Sequence, residues 1–279
     1  MDYNLALISV FCTLGLILFI LSFLLDFKKR KKLQRLQNMP FSDKYRKFLL
    51  KTPHYKNLDE QDRQKIEKSI ILFIHTKEFV GVGMETTDEI KVIVAFYACL
   101  LLLHLGTENC YENLKTIIIY PASVVTDKIS SSGGIYTKEK FVLDGQSAND
   151  TVVITWHDAK KEAYHLRHNN VIIHEFAHEV DFMDGEIDGV PPIEKSKYNE
   201  WTNILFEDYK KLNKVAEKNR EWGRYKLLGS YAATNEAEFF AVVTERFFET
   251  PKSLKKSFPE LYNELENYYN IDTIKLIKD

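Results

Sequence analysis

Hydrophobic periodicity divides the chain into a long apolar segment at the N-terminus and a mainly helical body. Residues 5–25 carry no charge and are rich in Leu, Ile and Phe, so they predict a helix long enough to span about 30 Å of hydrocarbon. Beyond residue 40, apolar residues recur at the three- and four-residue spacing of amphipathic helices. These helical stretches are residues 41–51, 59–77, 86–106, 194–217, 235–249 and 259–269, with one more around His174 and His178.

Short β-branched and aromatic runs between the helices predict a small sheet. The runs are residues 79–82, 116–120, 141–143 and 152–156, with turn residues such as Gly133-Gly134 and Asp144-Gly145 between some of them. Because turns of this kind often join neighbouring strands, we expect the sheet to be mixed or antiparallel. The pattern as a whole predicts an α+β fold, mainly helical, with a small mixed sheet and one preceding transmembrane helix.

The charges around the apolar segment predict an uncleaved membrane anchor. Residues 26–36 hold six basic side chains and one acidic one, and they follow the segment, whereas a signal peptide carries its basic residues in front. The positive-inside rule places residue 28 onwards in the cytoplasm. We therefore predict a single-pass protein of the cell membrane, with an anchor at residues 1–26, a basic juxtamembrane linker at 27–39 and a cytoplasm-facing domain at 40–279.

Composition argues against two other classes of protein. The net charge is only -2, and once the basic linker is assigned to the membrane the body is mildly acidic, so we expect no nucleic-acid partner. Cys12, Cys99 and Cys110 are isolated from one another in the sequence. Neither a disulfide framework nor a cysteine metal site is therefore expected.

The segment containing His174, Glu175 and His178 has the HExxH spacing of zinc hydrolases. On a helix the two histidines lie on one face and can bind one metal, and Glu175 can reach a water at that metal. Zinc would acidify this water, and Glu175 would take its proton during attack on a carbonyl. A core helix that carries two histidines by chance is the alternative.

A catalytic zinc needs a third protein ligand, and the sequence leaves several candidates. No histidine follows His178, and Asp181 is displaced by a further turn, which suits a supporting or capping role better. Glu238 and Glu245 lie among apolar residues of a later helix, where a carboxylate needs a metal or a cation as partner. Either glutamate could instead pair with a base such as Arg246.

Two segments resemble the Mlc titration factor A (MtfA) family of zinc peptidases and, more distantly, the catalytic domain of anthrax lethal factor. They are residues 174–181 and the stretch formed by Tyr231 and residues 235–241, and the resemblance covers most of residues 40–270. It implies a zincin-like, gluzincin-type domain with Zn²⁺ bound by His174, His178 and Glu238. It further implies that Glu175 is the general base and that Tyr231 hydrogen-bonds the oxyanion. The N-terminal anchor departs from the best-known members.

These features favour a membrane-anchored zinc peptidase acting on a peptide or protein substrate. The resemblance also raises an alternative, a protein-binding module that sequesters a repressor and uses its metal site structurally, since one family member is known for such binding. Hydrolysis of non-peptide amides or esters needs the same residues and stays open.

The strand at residues 152–156 is either an internal strand or one that pairs with the substrate backbone. We interpret His157, His165 and His168 as surface residues rather than a second metal site.

Overall fold

The structure, a computed structural model, describes residues 2–105, 111–122, 150–166, 168–218 and 222–277. It contains two compact units, Met1–Pro40 and Phe41–Asp279. The first unit is a single helix, α1 (Asp2–Gln37). Within it, Phe11–Gln37 is long and apolar enough to cross a membrane, a property that it shares with signal sequences.

The second unit is mainly helical, as the periodicity predicts. Its helices are α2 (Asp43–Leu49), α3 (Pro53–Asn57), α4 (Glu60–Thr76), α5 (Asp88–Leu101), α6 (Trp156–Tyr164), α7 (Val171–Asp181), α8 (Tyr198–Lys218), α9 (Glu236–Glu249), α10 (Pro251–Ser257), α11 (Pro259–Tyr269) and α12 (Thr273–Leu276). Short 3-10 turns occupy Phe182–Asp184, Gly223–Leu227 and Tyr231–Ala233. Helix α3 lies between the predicted helical stretches and begins at Pro53, since proline is well tolerated at the start of a helix.

Helix α5 is the apolar centre of this unit. From Ile90 to Leu101 every residue except Lys91 is 2% exposed or less, and the helix packs against both α4 and α7. Its cap is Thr87, whose hydroxyl accepts a hydrogen bond from the Ile90 amide. A helix that is apolar on all sides must lie inside the fold, so α5 supplies the surface on which α7 is placed.

The end of α5 differs slightly from the sequence-based expectation. The helix stops at Leu101, before the glycine at position 106 that was expected to end it. His104 lies beyond the helix and places its Nε2 3.3 Å from Oδ2 of Asp62, a residue of α4. Cys99 is buried within α5, as expected of a small apolar residue, and Cys110 lies outside the described residues.

The three described strands form one parallel sheet. They are β1 (Glu78–Gly81), β2 (Thr116–Tyr120) and β3 (Thr151–Thr155), in the order β1-β2-β3. The expectation of a mixed or antiparallel sheet is therefore wrong for these strands. The physical reason is that α5 lies between β1 and β2 in the chain, and such a crossover returns the chain in the same direction. The predicted strand at 141–143 and its neighbouring turns lie outside the described residues.

The loop between α7 and α8 is held against α9 by Gly189. The Gly189 amide donates to Asp181 Oδ2 at 2.9 Å, and its carbonyl accepts from Trp201 Nε1 at 3.3 Å. Its φ is +81°, and a Cβ there would lie 2.6 Å from the carbonyl oxygen of Glu236. Only glycine fits this close approach, so the loop braces the first residue of α9.

We predict that Gly189→Ala destabilises the protein more than Gly229→Ala does. Gly229 has a similar φ of +79° and nothing within 4 Å of an added Cβ, so its substitution carries only the left-handed backbone cost of about 1 kcal/mol. At Gly189 the methyl must also displace the Glu236 backbone, which adds about 1–3 kcal/mol. Urea unfolding of the full chain in a mild detergent measures both losses. Equal losses would show that the loop does not brace α9.

Candidate metal centre

Helix α7 carries the HExxH residues on a firmly capped and packed helix. Asn170 caps the helix by accepting a hydrogen bond from the Ile173 amide at 3.2 Å. Ile173, Phe176 and Val180 are fully buried, so this face anchors the helix in the core. His174 and His178 lie one turn apart with ring centroids separated by 5.0 Å. The two imidazoles therefore meet on one side of α7, as the spacing predicts.

Helix α9 runs antiparallel to α7 and presents carboxylates to it. Proceeding along α7, successive contacts are made with residues in reverse order along α9. The pairs are Asn170 with Glu249, His174 with Glu245, and His174 and His178 with Glu238. Asn235 caps the start of α9 by accepting from the Glu238 amide at 2.8 Å. The cap thus fixes the backbone of Glu238 beside the two histidines.

His174, His178 and Glu238 bring three potential ligand atoms together. Glu238 Oε2 lies 3.0 Å from His174 Nε2 and 3.4 Å from His178 Nε2, and the three ligand atoms all lie within 4.8 Å of one another. A tetrahedral zinc with bonds of about 2.0–2.1 Å separates its ligand atoms by about 3.3–3.4 Å. The donor set and the two measured separations fit such an ion.

The cluster is strongly polarised. Burial lowers the pKa of His174, but hydrogen bonds with Glu238 and Glu245 outweigh it and raise the pKa to about 10. Burial raises the pKa of Glu238, yet hydrogen bonds from His174 and His178 bring it well below its usual range. The Glu238 carboxylate and the His174 imidazolium therefore share a proton between Oε2 and Nε2, at the place where a metal cation could bind. Metal binding at this cluster would release that proton, as is general for histidine sites.

Tyr231 and Glu175 flank the cluster. Tyr231 lies in the 3-10 turn before α9, with its ring centroid 5.7 Å from that of His174. Burial and the charges of Glu238 and Glu175 raise the pKa of Tyr231 well above its usual value, so the phenol is a hydrogen-bond donor at neutral pH. Glu175 is half-buried on α7 and also contributes to the raised pKa of His174. Both residues predicted for catalysis therefore lie close to the cluster.

Glu245, which the sequence offered as a candidate third ligand or as a partner of Arg246, is a further residue of the site. Its Oε1 lies 2.9 Å from His174 Nδ1, on the opposite side of the ring from Glu238. It is therefore not one of the three clustered ligand residues, which leaves Glu238 as the carboxylate of that group. The sequence shows Glu245 as a glutamate among apolar residues of α9. Only the packing of α9 against α7 shows that its carboxylate contacts His174 Nδ1.

Asp181 holds the loop rather than the metal cluster. The side chain is fully buried, one oxygen accepts from Gly189, and the other is buried without a hydrogen-bond partner among the described residues. Asp184, the next aspartate along the chain, is exposed and accepts from the Glu186 amide. The side chain of Asp181 makes no helix-capping hydrogen bond within the described residues, so the expected capping role is not observed, and its contact is with the loop residue Gly189.

The second histidine group does not form a metal site in the described part of the chain. His157, His165 and His168 are all exposed, and His157 contacts Lys161 on the same helix at 2.7 Å. The group of metal-ligating residues that the described chain brings together is His174, His178 and Glu238. The interpretation of the other three histidines as surface residues is confirmed.

A helical domain with a small sheet and a His-His-Glu cluster on two facing helices is a metallopeptidase-type domain. The sequence model of the glucose-regulated metallo-peptidase M90 family matches residues 27–270, and the chain belongs to this family. An uncharacterised protein of Synechocystis is 36% identical over 228 residues, which cover 80% of this chain and 81% of that protein.

Proteins named Mlc titration factor A are further relatives. The protein from Serratia proteamaculans is 29% identical over 81% of this chain and 86% of its own length. The protein from Klebsiella pneumoniae (strain 342) is 28% identical over 82% and 87%, respectively. These similarities confirm the resemblance to the MtfA family that the two sequence segments indicate.

We predict that Asp181→Asn changes how stability depends on pH. Burial raises the pKa of Asp181 from 3.8 to about 7, so the folded state holds this proton more tightly than the unfolded state does. Its stabilising contribution is present below pH 3.8 and is lost as the pH rises through 7. The free energy of unfolding of the natural protein should therefore fall by about 2–3 kcal/mol, relative to that of the variant, between about pH 5 and 8.

Urea unfolding at several pH values measures this difference. Asp43→Asn, at an exposed carboxylate of α2, is the matched control. A difference between the natural protein and Asp181→Asn that stays constant with pH would contradict the prediction.

Proposed function

We propose that this chain is a membrane-anchored, zinc-dependent peptidase. The observation that carries the proposal is the meeting of His174, His178 and Glu238 at separations that suit one metal ion, with Glu175 on the same helix. The metallopeptidase family of the chain agrees with it. In this proposal His174, His178 and Glu238 hold Zn²⁺. Glu175 transfers the proton, and Tyr231 stabilises the negative charge that develops on the substrate oxygen.

Zn²⁺ in this position would supply a Lewis acid that polarises a peptide carbonyl and acidifies water. Glu175 accepts the proton of the attacking water and passes it to the leaving amine, as a general base that becomes a general acid. Tyr231 donates its phenolic hydrogen to the oxygen that becomes negative during the attack. Its position beside His174, with 36% of the residue exposed, allows the phenol to reach a substrate from the open side of the cluster.

Strand β3 is proposed as the surface that aligns the peptide. It contacts α7, and among the described strands it has β2 as its one neighbour. An extended peptide could therefore add to its other edge through backbone hydrogen bonds. Side-chain selectivity would be low in such a mode, which suits a peptidase that cleaves more than one sequence.

The proposed anchor and its orientation are supported by the composition of α1 and of the residues at its end. Apolar side chains such as Phe11 and Phe19 are 66% and 69% exposed, which is unfavourable in water and favourable in lipid. The six basic side chains within residues 26–36 follow the apolar stretch. By the positive-inside rule they stay in the cytoplasm, so the peptidase domain is proposed to face the cytoplasm from a single-pass anchor in the cell membrane.

A second candidate function is the binding of a regulatory protein. The observation that favours it is the name Mlc titration factor A carried by several relatives, which suggests a link to the Mlc regulator. In this alternative the metal site would be structural or latent, and the domain would hold its partner at the membrane. A structural metal has no need of a general base, so the effect of replacing Glu175 distinguishes the peptidase function from the binding function.

We predict that Glu175→Gln lowers peptide hydrolysis by about 10²–10⁴-fold, the usual contribution of a general base. Zinc content should stay unchanged because Glu175 is not among the clustered ligand residues. The measurement is cleavage of a mixed fluorogenic peptide library by the zinc-loaded chain. Glu186→Gln, the same charge change at an exposed position, should retain activity. Equal activity of the natural protein and Glu175→Gln, or none in either, would favour the binding function.

We predict that a green fluorescent protein fused after Lys32 is fluorescent in bacterial cells, whereas alkaline phosphatase at the same point is inactive. The basic side chains should retain this fusion point in the cytoplasm, where the first reporter folds and the second does not. Replacing the five basic residues at positions 28–32 by glutamine should weaken the bias and raise phosphatase activity. High phosphatase activity in the unaltered fusion would invert the proposed topology.

A further inference from the structure

The two histidines of the cluster differ in what lies behind them. His174 Nδ1 is 2.9 Å from Glu245 Oε1. His178 Nδ1 is buried and has no hydrogen-bond partner among the residues that the structure describes. Within that part of the chain, a carboxylate therefore fixes the ring of His174 from behind, and the ring of His178 lacks this support.

Glu245 is itself held by Arg246. Its second oxygen, Oε2, lies 3.3 Å from an Arg246 guanidinium nitrogen. The same guanidinium donates to the Leu227 carbonyl at 2.8 Å and to Asn169 Oδ1 at 3.2 Å. Glu245 and Arg246 are only 6% and 7% exposed, so both charges depend on these partners. The carboxylate consequently has one oxygen tied to Arg246 and the other directed at His174.

This arrangement selects one form of the imidazole ring. A carboxylate accepts a hydrogen bond, so it keeps a proton on Nδ1 of His174, and the proton that a bound metal ion would displace is the one on Nε2, on the opposite side of the ring. That side faces Glu238, whose Oε2 is 3.0 Å from Nε2. A ring turned over, or one with its proton on Nε2, would present no lone pair to the cluster. A carboxylate behind the ring also makes the imidazole a stronger donor to a metal.

We propose that Glu245 is a positioning residue that keeps His174 protonated on Nδ1 with Nε2 turned toward Glu238 and His178, and that Arg246 holds Glu245 in place for this purpose. The inference rests on the proposed function, because it requires that the cluster binds zinc. It also assigns different roles to two glutamates on one helix, since Glu238 touches the histidines from the metal side and Glu245 supports one of them from behind.

The test is the zinc affinity of the full chain in detergent, measured by competition with a chromophoric chelator. Glu245→Gln preserves the size and one acceptor oxygen of the side chain but removes its charge. We expect its zinc affinity to fall about 10- to 100-fold, the usual effect of losing such support. Replacing Zn²⁺ with Co²⁺ gives a second readout, because a changed orientation of His174 shifts the visible absorption bands of the bound cobalt.

Glu249→Gln is the matched control. Glu249 is buried on the same helix and accepts from Asn170 Nδ2 at 2.8 Å, one turn beyond Glu245. Glutamine keeps an acceptor oxygen for Asn170, so the same loss of buried charge should leave the zinc affinity and the cobalt spectrum unchanged. Arg246→Lys provides a variant that retains the carboxylate, and we expect it to weaken zinc binding by a smaller factor. Circular dichroism of each metal-free variant shows whether it is folded.

The outcomes separate this inference from the proposed function. Zinc binding that is unchanged in both Glu245→Gln and Arg246→Lys would overturn the role of Glu245 and leave the peptidase proposal intact. An equal loss of affinity in Glu249→Gln would show a general effect of buried charge and would also overturn it. A natural protein that binds no zinc would overturn both. If Glu245→Gln does not fold, Arg246→Lys with an unchanged cobalt spectrum would overturn the inference.

Discussion

This domain depends on one constraint, which is that the carboxylates of α9 directed toward α7 must each be paired with a polar group of that helix or its cap. Helix α9 directs three glutamates toward α7, and each would be costly in the interior without a partner. The partners are Asn170 for Glu249, His174 for Glu245, and both histidines for Glu238. Because these contacts recur along the facing sides of both helices, a shift of either helix by one residue would break all of them together. The paired charges therefore fix the register of α7 and α9.

The surrounding apolar structure allows this register to persist. Helix α5 is buried on every side and packs against α7, so α7 cannot turn without exposing its own apolar face. In the loop after α7, Gly189 has no room for a Cβ because it lies against the backbone of Glu236, two residues before Glu238. Packing and backbone contact thus hold in place the two helices that the polar contacts align. A site built on such elements is more sharply defined than one built on loops.

The sequence predicts the local features well and the long-range ones less well. The HExxH spacing places His174 and His178 on one face because helical geometry alone decides it, and Asn170 caps α7 for the same local reason. Spacing could not choose between Glu238 and Glu245, since both lie on the face that meets α7 and only the pairing shows which atoms they contact. The resemblance to the MtfA family favoured Glu238, in agreement with the observed cluster. The parallel sheet was missed because strand direction depends on how α5 crosses over, which the strand pattern does not record.

The geometry of the cluster favours catalysis over a purely structural metal. Structural zinc sites are closed by four protein ligands, whereas catalytic sites keep one position open. Within the described part of the chain, three residues supply the clustered ligand atoms, and the side next to Tyr231 is open enough to leave that residue 36% exposed. A structural site would have no use for a second carboxylate beside the first histidine or for a protonated phenol facing the opening. Glu175 and Tyr231 both have a task in the proposed peptide hydrolysis, and a structural metal would need neither of them.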